Sequence, residues 1–332
     1  MNIAIIGGGA IGSIVAARLT QAGQEVFLVA RPDHVQAINA KGLCVKSDKG
    51  EDVVRLQAGT ALDREYDLVI FATKTQDLEE AFQNNHQYLE NCLVLTTQNG
   101  VQADNLLSIH FEPVKMYNSI VMFGATYLNP GEVILNFPGD WILGKPYTSI
   151  DNAAHDMAAI LTKAFPVVVT PDIMGMKWLK LFVNFNNCIP ALVGRSMQET
   201  FADKALCLLS IKLLKEGVKI VQDAGVELQS LPSFPVERIL GLAAMPEAQA
   251  VEILHKTLTN LSKVPVDGSI LQSIKRGKVS EIDFINGEVT HLARSIEAAA
   301  PLNRRVVDLV HKVEQTGKFF SPDAIKREFS LA

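Results

Sequence analysis

At 332 residues the chain exceeds the length at which a single hydrophobic core stops growing, so two domains are expected. Its 48% hydrophobic content supplies large cores, no apolar run reaches membrane-spanning length, and the net charge of −5 offers no basic footprint for nucleic acid. The four cysteines (Cys44, Cys92, Cys188, Cys207) show no C-x-x-C spacing and read as reduced, mostly buried thiols, and with seven scattered histidines they form no metal-ligand pattern. The first apolar run starts at residue 2, which leaves no room for a signal peptide and reads as cytoplasmic.

That run, Asn2-Ile3-Ala4-Ile5-Ile6, leads straight into Gly7-Gly8-Gly9-Ala10-Ile11-Gly12 and an apolar-periodic helix. A buried strand, a G-x-G-x-x-G turn and a helix open a dinucleotide-binding unit. Gly7 permits the tight turn, Gly9 has no side chain to hold a pyrophosphate off the backbone, and Gly12 lets the helix pack close to the strand. The N–H groups and dipole at the helix start favour phosphate. The second strand, residues 25–30, ends in Arg31 where NAD-preferring units carry an acid. A carboxylate would repel a ribose 2′-phosphate, whereas a guanidinium can hold one with charge-assisted bonds, so Arg31 points to NADP(H).

Residues 45–57 are charged and strand-like, as in a small hairpin. Residues 67–72 and 92–96 read as buried parallel strands, with a polar helical stretch from Gln76 between them, and this alternation predicts a doubly wound sheet. Lys74 and Thr97-Gln98-Asn99-Gly100 follow those two strands at the ends where ligands bind. Residues 132–143 read as a hairpin turning at Pro138-Gly139-Asp140, which adds antiparallel strands to the sheet. A helix over residues 150–165 and a short strand at 167–169 follow.

Beyond Pro171 the pattern becomes almost wholly helical, which puts a boundary near residue 172, with a dinucleotide-binding domain over 1–172 and a helical domain over 173–332. Lys180 and Asn184 share one face of a largely apolar helix, and Lys177 lies on roughly the same face. Desolvation would lower such a lysine's pKa towards the range of a useful proton donor, and periodicity does not choose between the two. Residues 205–224 form a long apolar-periodic helix. Ile282, Ile285, Val289, Leu292 and Ile296 form one stripe over 281–296, as on a core-facing helix. Ser269 reads either as a helix cap or as a carboxylate ligand, and Glu281 and Asp283 sit where a helix start favours negative charge.

From end to end these motifs resemble the ketopantoate reductase (2-dehydropantoate 2-reductase) family. The glycine turn with Arg31, the strand-end Lys74 and Gln98-Asn99-Gly100 stand in the family's order, as do Trp178-Leu179-Lys180 with Asn184, and Ser269 with Glu281-Ile282-Asp283-Phe284-Ile285-Asn286-Gly287. The resemblance favours Lys180 over Lys177. It implies a Rossmann-type sheet with an all-helical C-terminal domain, and roles residue by residue. Gly7, Gly8, Gly9, Ala10, Ile11 and Gly12 would bind the pyrophosphate and Arg31 the 2′-phosphate of NADPH. Lys74, Asn99, Ala125 and Glu281 would contact cofactor, Asn99 also reaching substrate. Lys180 would be the general acid, Asn184 would bind the substrate's hydroxyl end and Ser269 its carboxylate. The implied reaction is NADPH-dependent reduction of ketopantoate to pantoate on the route to pantothenate and coenzyme A.

One departure falls on the substrate side. The family carries a second asparagine four residues after Asn184, and Cys188 holds that substrate position here. Asn187 takes its place only with a local shift in the helix, and the next family asparagine is replaced by the neighbourhood Met197-Gln198-Glu199. Reduction of another branched 2-keto acid, or a β-hydroxyacid oxidoreductase, is therefore the alternative, and an NADPH-sensing protein is the non-enzymatic one. The sequence implies a small-molecule keto-acid partner, no membrane and no nucleic acid, and a helical domain that could support a homodimer.

Overall fold

The computed structural model describes residues 1–331. Its internal contacts divide the chain into one compact unit of Met1–Met174 and a second from Gly175 onward.

In chain order the first unit comprises β1 (Ile3–Ile6), α1 (Ala10–Gln21), β2 (Val26–Val29), α2 (Pro32–Lys41), β3 (Leu43–Ser47), β4 (Gly50–Val54), β5 (Gln57–Gly59) and β6 (Leu68–Phe71). It continues with α3 (Leu78–Gln83), β7 (Leu93–Thr96), α4 (Gln102–Ser108), β8 (Met116–Val121), β9 (Gly124–Asn129), β10 (Glu132–Phe137), β11 (Trp141–Gly144), α5 (Asn152–Leu161) and β12 (Val167–Val169). An eight-stranded sheet runs β12-β11-β8-β7-β6-β1-β2-β5. Its strands from β5 to β8 are parallel, and β11 is antiparallel to β8. β1, β2 and β6 are buried throughout, which is why they read as continuous apolar runs. Chain order reverses on either side of β1, so the crevice for a ligand lies beyond the carboxyl ends of β1 and β6.

The expected hairpin over residues 45–57 is present as β3 and β4, within a second sheet of order β4-β3-β10-β9. The expected hairpin over residues 132–143 does not form. β10 pairs with β9 and β3 in the small sheet, and β11 joins the large one. Pro138-Gly139-Asp140 is instead a crossing between sheets, with Asp140 accepting from Met122 N at 2.9 Å. Trp141 explains the switch, because its fully buried indole packs on Phe123 and Phe165 with the large sheet. α1 packs against both sheets, so Ile14, Val15, Ala16, Ala17 and Leu19 are all buried, and the polar residues Arg18, Thr20 and Gln21 gather at its C-terminal end.

The second unit is helical: α6 (Ile173–Asn184, beginning just before it), α7 (Cys188–Val193), α8 (Met197–Phe201), α9 (Lys204–Asp223), α10 (Glu237–Ala244), α11 (Glu247–Thr259), α12 (Ser269–Lys275), α13 (Asn286–Ser295), α14 (Pro301–Thr316) and α15 (Pro322–Glu328). α9 is its central helix, packed by α8, α10, α11, α13 and α14. A Cβ on Gly217 of α9 would come within 2.9 Å of the rings of Phe182 and Phe185, so the absent side chain is what lets these aromatics seat there. The Glu216 carboxylate accepts from the backbone of Leu302 at 3.0 Å and Asn303 at 2.8 Å, capping α14 from a distant helix. The single helix expected over 281–296 is broken. A 3-10 turn covers Ile282–Phe284, Ile285 departs from helical geometry at φ −122° and ψ −89°, and α13 starts only at Asn286. The apolar stripe survives the break in its first part, where Ile282, Ile285 and Val289 are all buried, while Leu292 and Ile296 are half-buried. Among the described residues no helix is long and apolar enough to cross a membrane.

Candidate active site

The site residues form two sets, one in each unit. In the first, the register aligns Ile6, Phe71 and Thr96 across β1, β6 and β7, so the segments that follow emerge side by side. These segments carry the glycine turn, Lys74 and Asn99. Gly7 has φ +121°, and a Cβ there would lie 2.5 Å from Thr73 N and 2.6 Å from Ala72 C. A Cβ on Gly12 would lie 2.0 Å from Gly7 O, whereas one on Gly9 would meet nothing within 4 Å. The first and third glycines of the motif are thus required by packing, and the middle one leaves open space in front of the backbone. No side chain caps α1 and its first turn carries no acid, so the positive end of the helix faces that space uncompensated. These features fit a dinucleotide pyrophosphate.

Arg31 is exposed at the start of α2, with Pro32 setting the first helical position. Three residues on, His34 is 1% exposed and lies against Gly8, whose Cβ would meet His34 Cδ2 at 3.1 Å. Gly131 N donates to His34 Nδ1 at 2.8 Å, and Nε2 stands 3.0 Å from Ser13 Oγ. Nδ1 is therefore the unprotonated nitrogen and the ring is neutral with its proton on Nε2. Burial holds the imidazole below its ordinary pKa, against the opposing charge of Asp33. Ala125 stands half-buried on β9 of the second sheet, packed against the α1 core. Lys74 and Asn99 are half-buried.

Sequence reasoning passed over Asp104 of α4. It is 1% exposed and accepts from Thr96 Oγ1 at 2.7 Å and from Asn118 Nδ2, tying α4 to β7 and β8 just beyond Asn99. A lone acid in a helical stretch carries no signal that would single it out.

In the second unit Lys180 and Asn184 lie one turn apart on α6. Removal from water lowers the Lys180 ammonium from its ordinary value to about 8. Lys177, the alternative on that helix, is 3% exposed. After Asn184 the chain tightens into a 3-10 turn, Phe185–Asn187, before α7 begins. The tighter turn departs from α-helical geometry at Asn187. Its Nδ2 comes within 3.5 Å of Ser269 Oγ, and a Cβ on Gly268 would strike its Oδ1 at 2.6 Å. Ser269 is the exposed first residue of α12, with Gly268 in the cap position. Cys188 is fully buried, and its thiol donates to Phe185 O at 3.1 Å. Burial pushes that thiol up to about 12, so it stays protonated.

Glu281 is half-buried at the head of the 3-10 turn, and its neighbours are firmly held. Ser280 N donates to Glu314 Oε1 at 2.7 Å, while His311 bridges Glu314 Oε2 at 2.9 Å and Asp283 Oδ1 at 3.0 Å. Burial alone would lower the pKa of His311, but its bonds to Glu314 and Asp283 outweigh that and raise it.

Residues 3–147 match the family model "Ketopantoate reductase PanE/ApbA", and residues 172–314 match "Ketopantoate reductase PanE/ApbA C terminal". The chain belongs to the ketopantoate reductase family. It is accordingly an oxidoreductase. The 2-dehydropantoate 2-reductase of Pyrococcus horikoshii is 28% identical over 320 residues, spanning 96% of this chain and 99% of that protein. Among solved structures, a PanE/ApbA family ketopantoate reductase from Ralstonia eutropha has a TM-score of 0.80 at 26% identity, covering 95% of this chain and 99% of that one. A D-mandelate dehydrogenase solved with NADH and anilino(oxo)acetate has a TM-score of 0.82 at 23% identity, with coverage of 95% and 99%, and shares the fold of this family member.

Proposed function

We propose that the chain reduces the ketone of 2-dehydropantoate to pantoate, using NADPH, as a step towards pantothenate. Lys180 carries the proposal. It is a helical lysine whose ammonium burial brings down to about 8, one turn from the amide of Asn184. When bound, NADPH supplies the hydride that reaches C2 of the keto acid. Lys180 donates a proton to the emerging alkoxide oxygen, and a pKa near 8 keeps it largely charged yet willing to give up the proton at neutral pH. Asn184 orients the substrate's hydroxyl end, and Ser269 holds the carboxylate. Gly7 to Gly12 cradle the pyrophosphate, Arg31 takes the 2′-phosphate, and Lys74, Asn99 and Glu281 line the cofactor, with Ala125 a further contact on β9. Open space before Gly9 supports the cradle, and an exposed guanidinium at the end of β2 supports NADPH over NADH.

A second substrate is favoured by one observation. The position of the family's second asparagine is a buried thiol, and Asn187 stands beside Ser269 instead. Another branched 2-keto acid is the substrate this altered wall would suit. Both assignments are tested by following NADPH oxidation with ketopantoate beside a panel of branched 2-keto acids. Preference for ketopantoate supports the first, preference for another acid the second, and no turnover with any of them removes both.

A further inference from the structure

Gln98 stands two residues past the end of β7 and is 5% exposed. Its amide joins the last residue of β6 and the loop beyond it to the segment that follows β7. Nε2 donates to the carbonyls of Phe71 and Thr73, at 3.0 Å each, and Oε1 accepts from Thr97 N at 3.1 Å. The Phe71 carbonyl also receives the backbone N–H of Thr97 at 3.2 Å and its hydroxyl at 3.0 Å. Among the described residues, the bond that Gln98 alone supplies is the one to Thr73.

Thr73 belongs to the floor of the glycine turn, its N lying 2.5 Å from where a Gly7 Cβ would be, while Ala72 packs against Gly12. In the same loop the hydroxyls of Thr73 and Thr75 are buried without a hydrogen-bond partner, so neither side chain ties the loop down. Lys74 follows Thr73 directly, and Asn99 follows Gln98. We propose that Gln98 is a positioning residue of the cofactor site, whose amide fixes the Ala72-Thr73-Lys74 loop under the glycine turn and sets Lys74 and Asn99 in their places. A half-buried carbonyl left without its donor turns towards water, and here it would carry the floor of the turn with it. The proposal rests on a nicotinamide cofactor occupying this cradle.

The test uses the whole chain with Gln98→Glu, which keeps length but loses both donors, and Gln98→Met, which loses all polarity. NADPH fluorescence titration should give a dissociation constant raised about tenfold in each, the equivalent of one or two lost hydrogen bonds. The KM for NADPH should rise more than that for the keto acid, whereas a residue that merely supports the fold would lower the melting temperature and leave that ratio unmoved. NADPH binding within about twofold of the parent in both variants overturns the assignment. If the parent binds neither NADPH nor NADH, the cofactor reading fails instead. Should neither variant fold, amide exchange in the parent decides, because residues 72–75 and 97–99 should open at matched rates and be slowed together by NADPH, and independent opening overturns the assignment.

Discussion

His34 Nε2 and Ser13 Oγ, 3.0 Å apart, join the first turn of α2 to the helix that follows the glycine turn. With Nδ1 occupied by the Gly131 N–H, the buried ring has no room for a second proton. Its folded pKa is lowered, so the neutral ring's contribution to stability is complete above the ordinary histidine value of about 6.5 and is lost as pH falls below it. Denaturant titrations at pH 7 and pH 5 should show a loss of stability that shrinks in His34→Gln, whose amide can accept and donate without charging. An equal loss in both proteins would remove His34 as its source. His311 works in the opposite sense. Its folded pKa is raised, so its share is present below about 6.5 and lost as pH rises through the folded value.

Lys180→Ala should lower turnover by about 10²–10⁴-fold, the usual worth of a positioned acid, with NADPH affinity largely kept. In the parent the reduction rate should fall as pH rises through about 8, because the donor must be protonated. A flat profile from pH 7 to 9, or full turnover in the variant, would exclude Lys180 as the donor.

Two glycines of one motif should fail in different ways. Gly12→Ala forces a methyl to 2.0 Å from Gly7 O and should lower the melting temperature. Gly9→Ala meets nothing in the protein and should leave the melting temperature near that of the parent. Its methyl would stand where the pyrophosphate must approach, so the KM for NADPH should rise. Equal cofactor affinity in Gly9→Ala and the parent would place the pyrophosphate elsewhere.

Restoring the family's asparagine should not restore a substrate contact. Cys188→Asn buries an amide in a fully enclosed space and should cost about 1–3 kcal/mol of stability without lowering the KM for the keto acid. Asn187→Ala should raise that KM about tenfold, the effect of one charge-assisted hydrogen bond lost. Steady-state kinetics on the two variants check both statements, and a KM lowered by Cys188→Asn would reverse them.

Much of this was legible from residue pattern because long-range forces agree with it. The runs over 67–72 and 92–96 are strands since both faces of the parallel sheet are covered, and the glycine spacing names its own turn. The failures share a physical cause, which is competition between local and distant partners. Pro138-Gly139-Asp140 is a good hairpin turn, yet burial of Trp141 among Phe123 and Phe165 draws β11 into another sheet. The stripe from Ile282 to Ile296 fits one helix, but the ties of Ser280 and Asp283 to Glu314 and His311 hold the first turn apart from the rest. The approach of Asn187 to Ser269 was not legible, because a 3-10 turn of three residues leaves no mark on the apolar spacing.

The double packing of α1 has a practical side. With sheets on two flanks and an unbroken buried run from Gly12 to Ala17, the first half of the helix has little that can be changed without disturbing a core, so it is poor ground for altering dinucleotide preference. The exposed stretch Arg31-Pro32-Asp33 beyond β2 is open to redesign, and His34 just behind it, wedged against Gly8, marks how far inward such changes can go.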